Sequence, residues 1–191
     1  MSDHILDQID EKTNDSKEKQ KIEKLINETV KTKLFLNNNV KEYYKRNILS
    51  INPLIFTIDN YLSDDECKHF VELSTDKLKR AVVSGSKKGD ISNGRTGQNC
   101  WVNHNTTNKT YSIGNRISNL IDKPLENAER YQLIYYNKTQ EYRKHYDTWD
   151  HDYSEKTLRC ITYGGSRLIT VLCYLNDVEE GGETMFTKLD I

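Results

Sequence analysis

A histidine and an aspartate two positions apart, in His145-Tyr146-Asp147, are the residues of this sequence whose types and spacing point most directly to chemistry. On a β-strand, residues i and i+2 project from the same face, so the His145 imidazole and the Asp147 carboxylate leave the backbone together. With a second, distant histidine, such a pair makes the facial arrangement that holds non-haem Fe(II) and leaves positions open for oxygen and a bidentate co-substrate. Alone the triplet is a weak signal, more simply read as a partly exposed strand pair without metal, so the surrounding chain has to decide.

The hydrophobic pattern supplies a scaffold for these side chains. After Pro124 the chain becomes β-like. Residues 130–136 alternate and are rich in aromatics, residues 142–147 follow a short turn, and residues 165–175 carry the strongest strand pattern of all. The turn at 176–182 then leads into a short strand at 183–186. Upstream, residues 54–58, 81–83 and 95–102 read as strands. Ser63-Asp64-Asp65-Glu66 is a capping box that starts a helix running to near residue 78. Ile113, Ile117, Leu120 and Ile121 recur at helical spacing and predict a second helix over 107–121. Residues 84–94 are polar and Gly-rich, which predicts a loop long enough to act as a mobile binding element. Close-spaced strands with helices gathered upstream predict an α+β chain built on an antiparallel barrel or sandwich.

Residues 1–46 are different in kind, without Gly or Pro and polar enough at the start to be disordered. From Asp15 onward Ile22, Leu25, Ile26, Val30 and Leu34 form one apolar stripe and predict an amphipathic helix over 16–36. No heptads are sustained, so the stripe reads as packing on its own domain rather than as a coiled coil. The expected organisation is an extension over 1–46 and a folded domain over 47–191.

Composition excludes several classes of function. The chain of 191 residues carries 28 Lys+Arg against 29 Asp+Glu, a formal net charge of −1. That balance creates no field to gather nucleic acid or an anionic membrane. Apolar runs are a few residues long, far short of the roughly 20 that a bilayer span needs. The first residues carry acids where a secretory signal is basic and then apolar, so a soluble intracellular protein is expected, with the endoplasmic reticulum lumen as the alternative if the native N-terminus differs. Cys67, Cys100, Cys160 and Cys173 lie too far apart for a Cys-x-x-Cys site and read as thiols.

The tract Gly165-Ser166-Arg167-Leu168-Ile169-Thr170-Val171-Leu172-Cys173-Tyr174-Leu175, continued through Asn176-Asp177-Val178-Glu179-Glu180-Gly181-Gly182-Glu183-Thr184-Met185-Phe186, resembles the core of the prolyl 4-hydroxylases, Fe(II)- and 2-oxoglutarate-dependent dioxygenases. The run from Tyr135-Tyr136 through Gln140-Glu141-Tyr142 to His145-Tyr146-Asp147 is similar to that family's Tyr, Gln-x-Tyr and His-x-Asp run, in order and at close to its spacing. Asn52-Pro53 through Cys67 is similar to its N-terminal strand and helix. The resemblance implies a double-stranded β-helix, or jelly roll, with flanking N-terminal helices. It implies His145 and Asp147 as the first two iron ligands, and Tyr136 and Thr184 as hydrogen-bonding partners of the 2-oxoglutarate carboxylate. Tyr142 and Arg167 would stand beside a proline-containing peptide over which the 84–94 loop closes. The implied reaction hydroxylates C4 of peptidyl proline as 2-oxoglutarate becomes succinate and CO₂, with ascorbate restoring Fe(II) after uncoupled turnover. Hydroxyl and guanidinium donors suit those roles, although Tyr136 and Tyr142 also read as core aromatics with a wet edge and Arg167 as a strand-end charge.

The same resemblance calls for a second metal histidine and a basic residue for the distal carboxylate of 2-oxoglutarate, both downstream of residues 183–186. His4, His69, His104 and His151 all precede that strand, and Lys188 follows Thr184 too closely. Neither role is assigned, His151 being a poor substitute in a polar stretch. The expectation is a jelly roll incomplete at its C-terminal end, with the activity of these 191 residues in question. Two other functions fit the residues: hydroxylation of another side chain such as lysine, or a non-catalytic peptide-binding module.

Overall fold

The computed structural model describes residues 44–84, 89–149, 154–162, 165–189 and 191. The helix expected over 16–36, residues 85–88 of the 84–94 loop and His151 lie outside the described residues. Contacts divide the chain into two compact units. One comprises Tyr61 and the residues before it with Leu120–Asp122, the other Leu62–Asn119 with Lys123–Ile191.

The first unit contains a hairpin of β1 (Asn47–Ile51) and β2 (Leu54–Thr57), paired antiparallel with Ile48 opposite Phe56 and Ile51 opposite Leu54. Only the second of these strands was legible in the sequence. The Arg46 guanidinium lies over the Phe56 ring at 5.2 Å, and the Tyr44 and Tyr61 rings meet at 4.7 Å.

The second unit begins with α1 (Asp64–Ser74), started as the sequence predicts: Ser63 Oγ accepts from the Glu66 N–H, and Glu66 Oε2 accepts from the Ser63 N–H at 3.0 Å. The helix stops at Ser74 rather than near 78. The hydroxyls of Ser74 and Thr75 both donate to the Val71 carbonyl, at 2.8 and 2.9 Å, closing off the last turn. Short strands β3 (Lys79–Arg80), β4 (Val83–Ser84) and β5 (Gly89–Asp90) precede β6 (Gln98–Val102). β4 and β5 pair antiparallel, Val83 opposite Asp90, so part of the predicted loop is strand. Helix α2 (Asn108–Ile121) forms where the apolar periodicity placed it, opened by Thr107, whose Oγ1 accepts from the Thr110 N–H at 3.1 Å. Strand β7 (Tyr131–Tyr135) and helix α3 (Glu155–Ile161) complete the elements. The sequence reading missed α3, which Ser154 caps by accepting from the Thr157 N–H.

One three-stranded antiparallel sheet, in the order β3-β6-β7, packs its inner face on α1 and α2. Phe70, Cys100, Val102, Ile113 and Leu133 form the core, with Leu73, Ile117, Tyr131 and Leu175 packed against it. The Tyr131 hydroxyl donates to the Thr110 carbonyl at 2.9 Å, tying the start of β7 to α2. The architecture is α+β.

Three expected strands require correction. Residues 142–147, 165–175 and 183–186 form no ladder among the described residues beyond a single bridge between Arg95 and Tyr142. Alternation fixes which side chains share a face, whereas a ladder also needs a partner strand in register. Nor do residues 165–175 alternate in burial: Leu175 packs on the core, but Leu168, Ile169, Val171, Leu172 and Tyr174 are all exposed.

Glu66 carries a pH-dependent part of the stability. Arg116 on α2 donates to both of its oxygens, at 2.9 and 2.8 Å, and this pairing holds the Glu66 carboxyl below its usual range despite burial. A depressed folded value means that the stabilisation is present above the ordinary carboxylate value near 4.5 and is lost as pH falls through the folded value. We expect Glu66→Gln to lower unfolding stability by about 1–3 kcal/mol at pH 7. The gap from the unaltered chain should narrow in urea melts as pH falls below about 4.5, and a constant gap would refute the assignment.

Candidate functional site

β6 and β7 pair with Gln98 opposite Tyr135, which brings Gly97 against Tyr136 just beyond the ladder. A Cβ on Gly97 would meet Tyr136 Cδ1 at 2.6 Å and the Tyr135 carbonyl at 2.9 Å. Glycine is therefore what lets the Tyr136 ring lie flat against the chain. Burial pushes the Tyr136 phenol up and Arg95 opposes it, so the hydroxyl stays protonated and able to donate at neutral pH. We expect Gly97→Ala to cost about 1–3 kcal/mol and to displace that ring, read as a loss of tyrosine near-ultraviolet dichroism that Gly97→Ala no longer causes in a Tyr136→Phe background.

Past Tyr136 the chain turns, with the Asn137 N–H donating to Gln140 Oε1 at 2.8 Å. It then returns along residues 94–96. The Thr96 N–H donates to the Glu141 carbonyl and the Arg143 N–H to the Gly94 carbonyl, both at 2.8 Å, and the pairing ends there. Tyr142 is thereby fixed over Arg95, whose guanidinium carbon lies 4.6 Å from the ring centre. Arg95 is only 8% exposed, and its Nη1 donates to the Val82 carbonyl at 2.8 Å.

His145 stacks on Tyr142, with ring centres 3.7 Å apart and an interplanar angle of 20°. Its Nδ1 lies 2.8 Å from the Arg143 carbonyl. A carbonyl only accepts, so Nδ1 carries the hydrogen and Nε2 is left to face Asp147 Oδ1 at 3.1 Å. Two acceptors this close repel each other unless a proton or a metal cation lies between them. The 3.1 Å separation is that of a hydrogen bond to a protonated imidazole, and two donors at right angles on one divalent ion, each about 2.1 Å from it, would stand about as far apart. An imidazole nitrogen with a carboxylate oxygen is also the donor set that suits ferrous iron. The two groups thus face each other, but no strand sets them there. Their side chains are 37% and 47% exposed, so they open to solvent instead of into a barrel.

Asp147 is held from the tract 165–175. Thr170 Oγ1 donates to Asp147 Oδ2 at 2.9 Å, and Arg167 Nη1 donates to the Asp147 carbonyl at 3.2 Å. Arg167 is locked in turn by Glu129, which accepts from both Nε and Nη2 and holds the guanidinium more firmly charged than usual. Thr184 Oγ1 lies 2.8 Å from the Tyr174 hydroxyl, either oxygen being able to donate. Among the described residues no group of three or more His, Cys, Asp or Glu side chains is placed to hold a metal. All four cysteines are free thiols, and burial pushes Cys173 up to about 11, far from a reactive thiolate. No helix of the described residues is long and apolar enough to cross a membrane.

The sequence reading had no role for Arg95, Glu129, Thr170 or Gly97. Gly97 and Arg95 adjoin the polar loop, which was the one available signal. Glu129 and Thr170 find their partners 38 and 23 residues away, a pairing that one sequence does not display.

No protein-family model matches the chain. Over 140 residues it is 34% identical to probable prolyl 4-hydroxylase 7 of Arabidopsis thaliana, a stretch that is 72% of this chain and 42% of that protein. It is 33% identical over 141 residues to probable prolyl 4-hydroxylase 10 of the same plant, 73% of this chain and 47% of that protein. To prolyl 4-hydroxylase 5 it is 31% identical over 141 residues, 73% of this chain and 46% of the relative. Over the matched stretch the chain belongs to the prolyl 4-hydroxylase family. It spans somewhat under half the length of these relatives.

Proposed function

We propose that the chain provides the iron- and co-substrate-binding part of a peptidyl-proline 4-hydroxylase. The observation that carries this reading is the His145 Nε2 to Asp147 Oδ1 approach of 3.1 Å, with Nδ1–H committed to a backbone carbonyl. His145 and Asp147 would hold Fe(II), as the family resemblance implies. With 2-oxoglutarate and O₂, the bound iron supplies an oxidation in which a proline C4–H becomes C4–OH while 2-oxoglutarate becomes succinate and CO₂, and ascorbate keeps the iron ferrous.

The chain's own residues then have positional tasks. Tyr136, its ring seated on Gly97, presents a hydroxyl donor to a 2-oxoglutarate carboxylate, and Thr184 is assigned to the same carboxylate. Tyr142 orients the imidazole by stacking and, with Arg167, borders the peptide substrate. Buried Arg95 adds a fixed positive charge behind Tyr142. We assign a jelly-roll core to a domain over 47–191, residues 1–46 being an extension.

The test is oxygen-dependent succinate formation on a proline-rich peptide, with Fe(II) and 2-oxoglutarate, by a polypeptide carrying these 191 residues and whatever coding sequence follows them. Hydroxyproline in the product, found by mass spectrometry, is the expected result. Hydroxylysine alone would replace the substrate assignment, and absence of any 2-oxoglutarate turnover would leave a peptide-binding module as the better account.

A further inference from the structure

We propose that Thr170 is a positioning residue that holds the Asp147 carboxylate in the orientation presenting Oδ1 to His145, an inference that rests on the metal-binding reading above. An aspartate carboxylate turns about a broad, two-fold torsion, so nothing intrinsic to Asp147 selects which oxygen faces Nε2 or at what angle. The structure supplies two constraints. Arg167 Nη1 fixes the backbone carbonyl of Asp147 at 3.2 Å, itself braced by the two-pronged grip on Glu129. Thr170 Oγ1 donates to Oδ2 at 2.9 Å, which leaves Oδ1 for His145 at 3.1 Å.

The residue type fits the task. Threonine is branched at Cβ, so its hydroxyl occupies few rotamers, and a neutral donor steadies the carboxylate without cancelling the charge that attracts a cation. A lysine in its place would compete with the metal. Thr170 and Arg167 lie three positions apart in the tract 165–175, so one segment grips Asp147 by both backbone and side chain. Outer partners of ligating carboxylates commonly change metal affinity by about 10–100-fold.

The experiment compares the full chain with Thr170→Val, Thr170→Ser, Asp147→Ala and the Asp147→Ala/Thr170→Val pair, using Mn(II) followed by electron paramagnetic resonance. Thr170→Val should weaken Mn(II) binding about tenfold, and Thr170→Ser should return it to within about threefold of the unaltered chain. In the Asp147→Ala background Thr170→Val should change nothing, because the group it positions is gone. A second readout needs no metal. The imidazole ¹⁵N signals of His145 should move in Thr170→Val and stay in place in Thr170→Ser. Unchanged signals together with unchanged Mn(II) affinity in Thr170→Val overturn the proposal, as does an equal loss with and without Asp147. If the unaltered chain and His145→Ala bind Mn(II) equally poorly, the metal reading itself fails, and the imidazole signals alone then decide whether Thr170 orients the pair.

Discussion

Replacing His145 with Ala is expected to lower Mn(II) or Fe(II) affinity at least about a hundredfold and to bring 2-oxoglutarate turnover to background. Loss of an outer partner already costs up to that factor, so loss of an imidazole ligand costs no less. The fold should be indifferent. The His145 side chain is 37% exposed, and its contacts are one stacked ring, one carbonyl and one carboxylate. Thermal unfolding should therefore shift by less than the equivalent of about 1 kcal/mol. This combination separates the metal reading from a structural one. Were the His145–Asp147 contact only an ion pair in a surface segment, His145→Ala would leave metal affinity untouched. Metal titration and melting of the same two samples supply both numbers, and unchanged affinity removes the basis for the proposed reaction.

The second large effect lies in the core. Phe70 is 3% exposed, meets the Tyr131 ring edge-on at 5.0 Å and 68°, and packs with Cys100, Val102, Ile113 and Leu133. Phe70→Ala removes both buried area and the aromatic pair, and should cost about 3–5 kcal/mol in urea unfolding. Against a typical total of about 5–15 kcal/mol, that is enough to leave a large fraction of a marginal chain unfolded. Phe70→Leu, which keeps most of the volume, should cost less than half as much. The consequence reaches the site, because Tyr131 opens the strand that ends beside Tyr136 and its hydroxyl ties that strand to α2. Equal costs for Ala and Leu would show that the aromatic contact, and not the cavity, carries the energy.

Local codes were legible in the residues themselves. The capping box at Ser63 formed as written, because both of its hydrogen bonds lie within four consecutive residues. Helix α2 and strand β7 follow from apolar periodicities that one face of one core can satisfy. His145 and Asp147 do approach each other, but on no strand and open to solvent, unlike the inward-facing strand pair that their spacing predicts. Side-chain hydrogen bonds to Arg143, Thr170 and Arg167 do what a pleat was expected to do.

What the tertiary structure alone decided are the pairings between distant segments. The apolar pattern in residues 165–175 predicts a strand, but a ladder depends on a partner at matching register, and the tract instead anchors Asp147 through Thr170 and Arg167. Glu129 reaches Arg167, Arg95 reaches Tyr142, and Gly97 makes room for Tyr136, each across a separation that no local pattern encodes. The sequence by itself determined the starts of α1 and α2 and the faces they turn to the core, because those depend on neighbours within a few residues. The orientation of the two candidate ligands was decided only by folding, because the groups that fix it come together when remote parts of the chain pack on one another.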